Sequence, residues 1–282
     1  MRFIRRMTGP AVYVLAFASM LAAQATQQRR TPDVVFVPTP YEAVNKMLDL
    51  AEVNKNSVVY DLGCGDGRIV VTAAKKFGAR GVGIDIDPER IQESRENAKR
   101  EGVTNRVEFR EADLFETDLS PATAVTLYLL PELNLRLRPR LLQQLKPGTP
   151  IVSHDFDMGD WKAEKTEYVD GPVRRHTIYR WTVPQRVGGV WQVKPSDGSA
   201  AFELQLRQDD YQLSGKLVRG GNEVDLSEVE IVEGSKISFL LENNVRFEGI
   251  ANGDTIEGKL KGVPRSQTWT ATRVRSAAYN GD

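Results

Sequence analysis

Residues 57–67 read SVVYDLGCGDG, and this stretch decides the fold. Residues 57–62 form a short apolar run that is typical of a buried strand, and Gly63, Gly65 and Gly67 follow it. Glycines directly after a strand let the backbone turn tightly and approach a ligand without interference from Cβ atoms. In open α/β sheets, ligands bind beyond the carboxyl ends of the strands. The stretch therefore predicts a parallel sheet with a ligand site at the end of its first strand.

Strand-like and helix-like patterns alternate on both sides of this stretch, from about residue 34 to residue 183. The predicted strands cover residues 57–62, 81–85, 107–110, 124–130 and 151–154. Strands that alternate with helices predict βαβ units and a mostly parallel sheet. The turn signal Asp170-Gly171-Pro172 then separates two strand-like runs with no helix between them, which predicts a terminal antiparallel hairpin.

Two of the helical patterns carry specific expectations. Thr39-Pro40-Tyr41-Glu42 has the sequence of a capping box with proline at the first helical position. The helical pattern over residues 131–145 contains Pro139, which lacks a backbone N–H group, so we expect this helix to break or kink there.

The sequence pattern changes after residue 183. Residues 184–189 resemble a linker, and from Val190 apolar and polar residues alternate with period two, with turn signals about every ten residues. This predicts an α/β domain over residues 26–184 and a small antiparallel β domain, a barrel or a sandwich, over residues 190–275. The β domain shows no nucleophile with a matching base, so we interpret it as an accessory binding or stabilising module or as a passive packing domain.

The first 25 residues have the pattern of a secretory signal peptide. Three arginines precede an apolar segment over residues 11–23, and Ala23-Gln24-Ala25 is a small-x-small cleavage signal. We expect export to a periplasmic or secreted location, with membrane contact only through this segment. Two alternatives stay open: an uncleaved membrane anchor, and a cytoplasmic protein whose translation begins at Met20.

Composition excludes several classes of function. Lys and Arg together number 38, and so do Asp and Glu, so the net charge is zero and a nucleic-acid partner is not expected. The one cysteine, Cys64, excludes an internal disulfide framework and a cysteine-based zinc site. With only two histidines in the chain, we expect no metal site.

The acidic residues near the glycines constrain the ligand. Asp61 closes the first strand, where its charge would repel a pyrophosphate. The glycine spacing is G-x-G-x-G and differs from the G-x-G-x-x-G of dinucleotide-binding proteins. Both features argue against a nicotinamide cofactor. Asp85 ends the second predicted strand, and its two carboxylate oxygens can accept hydrogen bonds from neighbouring ribose hydroxyls. These positions favour a cationic nucleoside without a phosphate.

Three motifs, in order along the chain, carry a resemblance to a known family. Residues 61–68 (DLGCGDGR) resemble motif I of the class I, seven-β-strand, S-adenosylmethionine-dependent methyltransferases. Residues 83–86 (GIDI) resemble the family's ribose-binding strand end, and residues 112–114 (ADL) resemble its adenine-binding motif. The resemblance implies a Rossmann-like seven-stranded sheet, S-adenosylmethionine as cofactor, and transfer of a methyl group by in-line attack.

The resemblance also implies roles for individual residues. The glycine loop would line the methionine half of the cofactor, with Asp61 near its amino group, Asp85 on the ribose hydroxyls and Asp113 on the adenine amino group. The implied cofactor-binding residues are Asp61, Gly63, Cys64, Gly65, Asp85, Ile86, Asp113 and Leu114.

Within this family, the chain resembles the branch that includes the ATP synthase c-subunit lysine methyltransferase. The residues concerned are Val37-Pro38-Thr39-Pro40, residues 65–70 and residues 127–131. This resemblance implies a protein lysine as a candidate methyl acceptor. Residues 129–132 read LLPE in place of the Asp/Asn-Pro-Pro-Tyr motif of many amine methyltransferases, which argues against methylation of nucleic-acid bases.

Four residues are candidates for the acceptor side of the site: Tyr128, Glu132, Asn134 and His154. Tyr128 is the candidate for the methyl-transfer site, Glu132 and Asn134 for acceptor contacts, and His154 for a general base. Each also has a purely structural interpretation. Tyr128 would be a core aromatic, Glu132 and Asn134 would cap the start of a helix, and His154 would be a hydrogen-bonded histidine at a strand end. Two other functions stay open: aminopropyl transfer to a polyamine, and an exported binding protein with a relic cofactor site.

Overall fold

The computed structural model describes residues 35–241, 245–263 and 267–276. The predicted signal peptide lies outside these residues, so it stays a prediction, as do the domain boundaries. Within the described residues, no helix combines the length and the apolar character that a membrane span requires. The described ranges contain the helices α1 (Tyr41–Leu50), α2 (Arg68–Phe77), α3 (Pro88–Arg100) and α4 (Pro131–Gln144).

Seven strands form the first sheet, in the order β3-β2-β1-β4-β5-β7-β6. They are β1 (Val58–Leu62), β2 (Arg80–Asp85), β3 (Val107–Glu111), β4 (Ala124–Leu127), β5 (Pro150–His154), β6 (Lys165–Asp170) and β7 (Arg175–Thr182). The first five strands are parallel, and β7 pairs antiparallel with both β5 and β6. The predicted seven-stranded, mostly parallel sheet with an antiparallel terminal hairpin is therefore confirmed. The strand order reverses at β1, which is where open α/β sheets bind ligands.

Helices cover both faces of this sheet because successive strand side chains point to opposite faces. Val59 packs into one apolar core together with residues of α1, α2 and α3. The neighbouring Tyr60 and Leu62 pack into a second core with Leu137 and Leu141 of α4. Because β1 is covered on both faces, its carboxyl end and the loop that follows it are held in place by two layers of packing.

One helix has a side-chain cap, and two others differ from the sequence-based expectations. Asp87 caps α3, since its side chain accepts a hydrogen bond from the Glu89 N–H at 2.9 Å. The capping-box expectation is wrong: the N-cap of α1 is Pro40, no side chain caps this helix, and the Thr39 hydroxyl instead lies 3.2 Å from His154 Nδ1. Of the predicted break or kink at Pro139, the break is wrong, because α4 continues through this residue.

Nine strands form the second sheet, in the order β11-β10-β9-β8-β16-β15-β14-β13-β12. They are β8 (Gly189–Pro195), β9 (Phe202–Asp209), β10 (Gln212–Arg219), β11 (Asn222–Asp225), β12 (Ser227–Val232), β13 (Lys236–Leu241), β14 (Val245–Asn252), β15 (Thr255–Lys261) and β16 (Gln267–Ser276). Every pairing is antiparallel, and β10 also contacts β12, so the sheet nearly closes into a barrel. This confirms the predicted all-β region.

Aromatic side chains fill the interior of the second sheet. Trp269 is 1% exposed, and its ring centroid lies 5.5 Å from that of Phe247 and 6.0 Å from that of Phe239. Gly258 is the residue opposite Trp269 on the neighbouring strand, and a Cβ atom there would lie 2.6 Å from the indole. The glycine that the sequence places inside β15 therefore makes room for the tryptophan.

We expect Trp269→Ala to lower the free energy of unfolding by about 3–5 kcal/mol, because it removes a large side chain from a packed core. The matched control is Val274→Ala on the same strand, since Val274 is 67% exposed. The control should change stability by no more than about 0.5 kcal/mol. Denaturant titration followed by tryptophan fluorescence and circular dichroism would measure both, and equal effects would contradict this description of the core.

Candidate functional site

The carboxyl ends of the parallel strands bring the predicted site residues to one edge of the first sheet. Asp61 lies near the end of β1, and Asp85 is the last residue of β2. Tyr128 directly follows β4, and His154 is the last residue of β5. Residues separated by up to 93 positions in the chain therefore share one edge, as the alternating pattern of strands and helices predicts.

The loop after β1 has a backbone that favours glycine. The φ angles of Gly63, Gly65 and Gly67 are 79°, 53° and 74°, in the left-handed region that other residues adopt at a cost. A Cβ atom on Gly63 would lie 2.8 Å from Leu129 Cδ2, and one on Gly65 would clash with the Phe36 ring. The loop is thus a close-fitting cradle between the strand end and two apolar side chains.

Asp85 connects this loop to the next strand. Its Oδ2 accepts a hydrogen bond from the Gly65 N–H at 2.8 Å, and its Oδ1 accepts one from the Asp87 N–H at 3.0 Å. Each carboxylate oxygen has a second lone pair, so the group can still accept two further hydrogen bonds. The carboxylate is therefore oriented by the backbone and able to bind a diol.

Asp61 is a buried carboxyl group with an altered acidity. Its side chain is almost fully shielded from solvent, and Thr126 Oγ1 donates a hydrogen bond to its Oδ1 at 2.8 Å. Burial is the main cause that raises the pKa of Asp61 to about 7; the nearby charges of Asp85 and Asp66 act in the same direction, and the hydrogen bond from Thr126 opposes them. A buried carboxylate of this kind is stabilised by a cationic group placed against it.

The loop after β3 brings Asp113 and Leu114 to the same edge. The Ala112 N–H donates to the Asp85 carbonyl oxygen at 2.9 Å, which ties this loop to the end of β2. Asp113 Oδ1 accepts a hydrogen bond from the Phe115 N–H at 2.8 Å, and Leu114 and Ile86 are each half-buried. Cys64 is buried, and burial is the main reason why the pKa of its thiol lies well above the usual range.

The acceptor-side candidates differ in exposure. Tyr128 is half-buried, with its ring centroid 4.0 Å from that of His154, and burial raises the pKa of its hydroxyl. Glu132 is exposed in the first turn of α4. Asn134 is fully buried, and its side-chain amide donates to the Phe156 carbonyl oxygen at 3.3 Å, so it holds the loop after β5.

His154 belongs to a cluster that the sequence analysis missed. Its Nε2 lies 2.8 Å from His176 Nδ1 and 3.2 Å from Asp155 Oδ2, and Arg174 forms an ion pair with the same carboxylate. Burial lowers the pKa of His154 to about 4, so this imidazole is neutral near pH 7. The sequence did contain one signal for this cluster. His176 lies at the start of the second strand of the predicted hairpin, and that hairpin belongs to the same sheet as His154.

The residues before α1 also reach this edge, which the sequence analysis did not anticipate. Phe36 lies against Gly65, and the Thr39 carbonyl oxygen accepts a hydrogen bond from Arg68 Nη1 at 2.9 Å. Because the Thr39 hydroxyl lies beside His154, this short segment connects the glycine loop to the end of β5.

Comparisons with known proteins agree with this geometry. The family model described as the ANTKMT methyltransferase domain matches residues 61–165. A protein-lysine N-methyltransferase of Saccharolobus islandicus is 44% identical over 153 residues, which cover 54% of this chain and 95% of the relative. The human lysine N-methyltransferase of the ATP synthase c-subunit is 31% identical over 153 residues, 54% of this chain and 64% of that protein.

A solved structure shares the fold and contains a product of the cofactor. An RNA methyltransferase from Salinibacter ruber, in complex with S-adenosyl-L-homocysteine, is 57% identical with a TM-score of 0.51. The match covers 54% of this chain and 96% of that one. The chain therefore belongs to the class I S-adenosylmethionine-dependent methyltransferases, in the branch described by the ANTKMT methyltransferase domain.

Proposed function

We propose that the protein transfers a methyl group from S-adenosylmethionine to a lysine side chain of another protein. The observation that carries this proposal is the 44% identity over 95% of a protein-lysine N-methyltransferase. The relatives named for the ATP synthase c-subunit support the same class of acceptor. No observation favours aminopropyl transfer or a binding protein with a relic cofactor site.

RNA is the second candidate acceptor, because the solved structure at 57% identity is described as an RNA methyltransferase. Two features of this chain favour lysine instead. Its net charge is zero, whereas proteins that bind RNA use a basic surface to neutralise phosphates. The segment LLPE over residues 129–132, which follows β4, also lacks the Asp/Asn-Pro-Pro-Tyr motif.

The charges at the strand ends fit the cofactor. The buried Asp61 carboxyl is suited to the cofactor's amino group. The glycine loop lacks Cβ atoms, and its nearest side-chain neighbours are Leu129 and Phe36. We assign Asp85 to the ribose hydroxyls, Gly63 and Gly65 to the methionine half, and Asp113 to the adenine amino group. Ile86, Cys64 and Leu114 are assigned to the walls around them.

The acceptor side must orient a neutral amine for in-line attack, with the reacting atoms about 3–3.5 Å apart. The cofactor supplies a methyl group that is already activated by a sulfonium. A lysine ammonium has a pKa of about 10.4 and must first lose a proton. We assign Tyr128 to the wall of the acceptor channel and the exposed Glu132 to attraction of the ammonium, while Asn134 supports the loop after β5.

The acceptor class can be tested with the full chain, radiolabelled S-adenosylmethionine and a cell extract. We expect a labelled product that is sensitive to protease and resistant to ribonuclease, and methyl-lysine after acid hydrolysis. The same extract without the added chain is the control for background labelling. Label that ribonuclease removes would overturn the lysine proposal in favour of RNA.

We expect Asp85→Ala to weaken S-adenosylmethionine binding by about 1–3 kcal/mol, or roughly 5–150-fold, because buried hydrogen bonds are lost. Isothermal titration calorimetry measures the affinity. Glu93→Gln is the matched control, since this carboxylate pairs with Arg90 on α3. An affinity unchanged in Asp85→Ala would remove this residue from the site.

Cofactor affinity should depend on pH through Asp61. Below about pH 7 the carboxyl is protonated, so affinity should fall by about tenfold per pH unit on acidification. Above about pH 7.7–8.0 the cofactor's own α-amino group loses its proton, so affinity should be highest near pH 7.5.

The Asp61→Asn variant checks this assignment, because its side chain does not titrate. Its affinity should be lower near pH 7.5 and should lose the acidic limb of the profile. The same acidic limb in wild type and variant would show that another group controls binding.

A further inference from the structure

Three ligand-type atoms converge on one point at the end of β5. His154 Nε2 lies 2.8 Å from His176 Nδ1 and 3.2 Å from Asp155 Oδ2, and His176 Nδ1 lies 3.4 Å from the same oxygen. Both imidazoles are buried, and the Asp155 side chain is 11% exposed. Within the described residues, these three side chains are the one group of histidines and carboxylates whose ligand atoms lie close enough together to share a metal ion.

One ligand-type atom of this group already has a cationic partner. Arg174 Nη2 donates a hydrogen bond to Asp155 Oδ2, the oxygen that lies near both imidazoles. A neutral imidazole carries one N–H and one lone pair, so the contact between the two imidazole nitrogens holds one proton. A metal ion at the centre of the triangle would replace this proton and share the Asp155 oxygen with Arg174.

The three separations match those of ligands on one metal ion. Ligand atoms about 2.1 Å from a metal are about 3.0 Å apart at a right angle and about 3.4 Å apart at the tetrahedral angle. The observed separations of 2.8, 3.2 and 3.4 Å lie close to this range. Two imidazole nitrogens and one carboxylate oxygen form the set that binds Fe²⁺, Co²⁺, Ni²⁺ or Zn²⁺, rather than Mg²⁺ or Ca²⁺.

The surrounding residues hold the three ligands in place. Thr39 Oγ1 lies 3.2 Å from His154 Nδ1, and Asp155 Oδ1 accepts a hydrogen bond from the Thr177 N–H at 3.0 Å. A Cβ atom on Gly171 would lie 2.7 Å from the His176 ring, so glycine leaves room for that imidazole. Asp155 has a φ of 60°, in the left-handed region that aspartate adopts more readily than most residues, so its backbone turns here directly after β5.

We propose that His154, Asp155 and His176 bind a divalent transition-metal ion beside Tyr128. This differs from the sequence-based expectation of no metal site. Arg174 is 53% exposed and contacts the same carboxylate, so its guanidinium competes with the ion for Asp155. Three protein ligands leave positions open for water or a ligand on the metal. The proposal does not depend on the identity of the methyl acceptor.

Titration of the untagged, chelator-treated full chain with Co²⁺ tests the site, with Zn²⁺ as competitor. The chain has two histidines, and both belong to the site, so no other imidazole can produce a cobalt–histidine absorption band. We expect one ion per chain. His176→Ala and Asp155→Asn should each weaken binding by more than about 100-fold, since loss of a supporting partner alone costs 10–100-fold.

Three further variants separate the metal site from a structural role. Thr39→Val should weaken cobalt binding by about 10–100-fold. Arg174→Gln should leave binding equal or tighter, because the competing cation is removed. Asp160→Asn is the matched control, since Asp160 pairs with Arg138 away from the cluster, and it should bind cobalt as wild type does.

Thermal unfolding and S-adenosylmethionine binding verify that each variant is folded. The wild-type spectrum tests the proposal even where a variant fails to fold. Absence of a cobalt–histidine band at about 1 mM Co²⁺, a concentration that detects even weak binding, would overturn it. So would a folded His176→Ala variant that binds as tightly as wild type, because the cluster would then be a hydrogen-bonded network only.

Discussion

The carboxylate of Asp85 is the interaction on which the edge of the first sheet depends. One of its oxygens holds the glycine loop through the Gly65 N–H, and the other holds the start of α3 through the Asp87 N–H. The loop after β3 is attached to the same residue through its carbonyl oxygen. One side chain and its own backbone thus fix the three segments that we assign to the cofactor.

The local part of this arrangement could be predicted from the sequence. The apolar run of β1, the glycines after it and the acid at the end of β2 each depend on neighbouring residues and on strand-end geometry. The turn signal Asp170-Gly171-Pro172 similarly predicted the hairpin that the structure contains. Family resemblance then supplied the cofactor, which the comparisons support.

The parts that could not be predicted depend on side chains that meet across long sequence distances. His176 reaches His154 because β7 pairs with β5 in a register that sets His154 opposite Ile178, and no local pattern fixes that register. Thr39 has the residue type and spacing of a cap, but its hydroxyl lies beside His154, and α1 starts without it. Pro139 was expected to break or kink its helix. The helix continues through this residue, and the leucines around it pack into the core beneath the sheet.

Cys64 has a practical consequence for studies of this enzyme in solution. It is the one thiol in the chain, it is 4% exposed, and it lies within the glycine loop. Alkylating reagents react with the exposed thiolate, so their rate of reaction with the native protein reports how often this loop opens. The molecule therefore carries an intrinsic kinetic probe in the loop that we assign to the cofactor, and no reporter group has to be introduced.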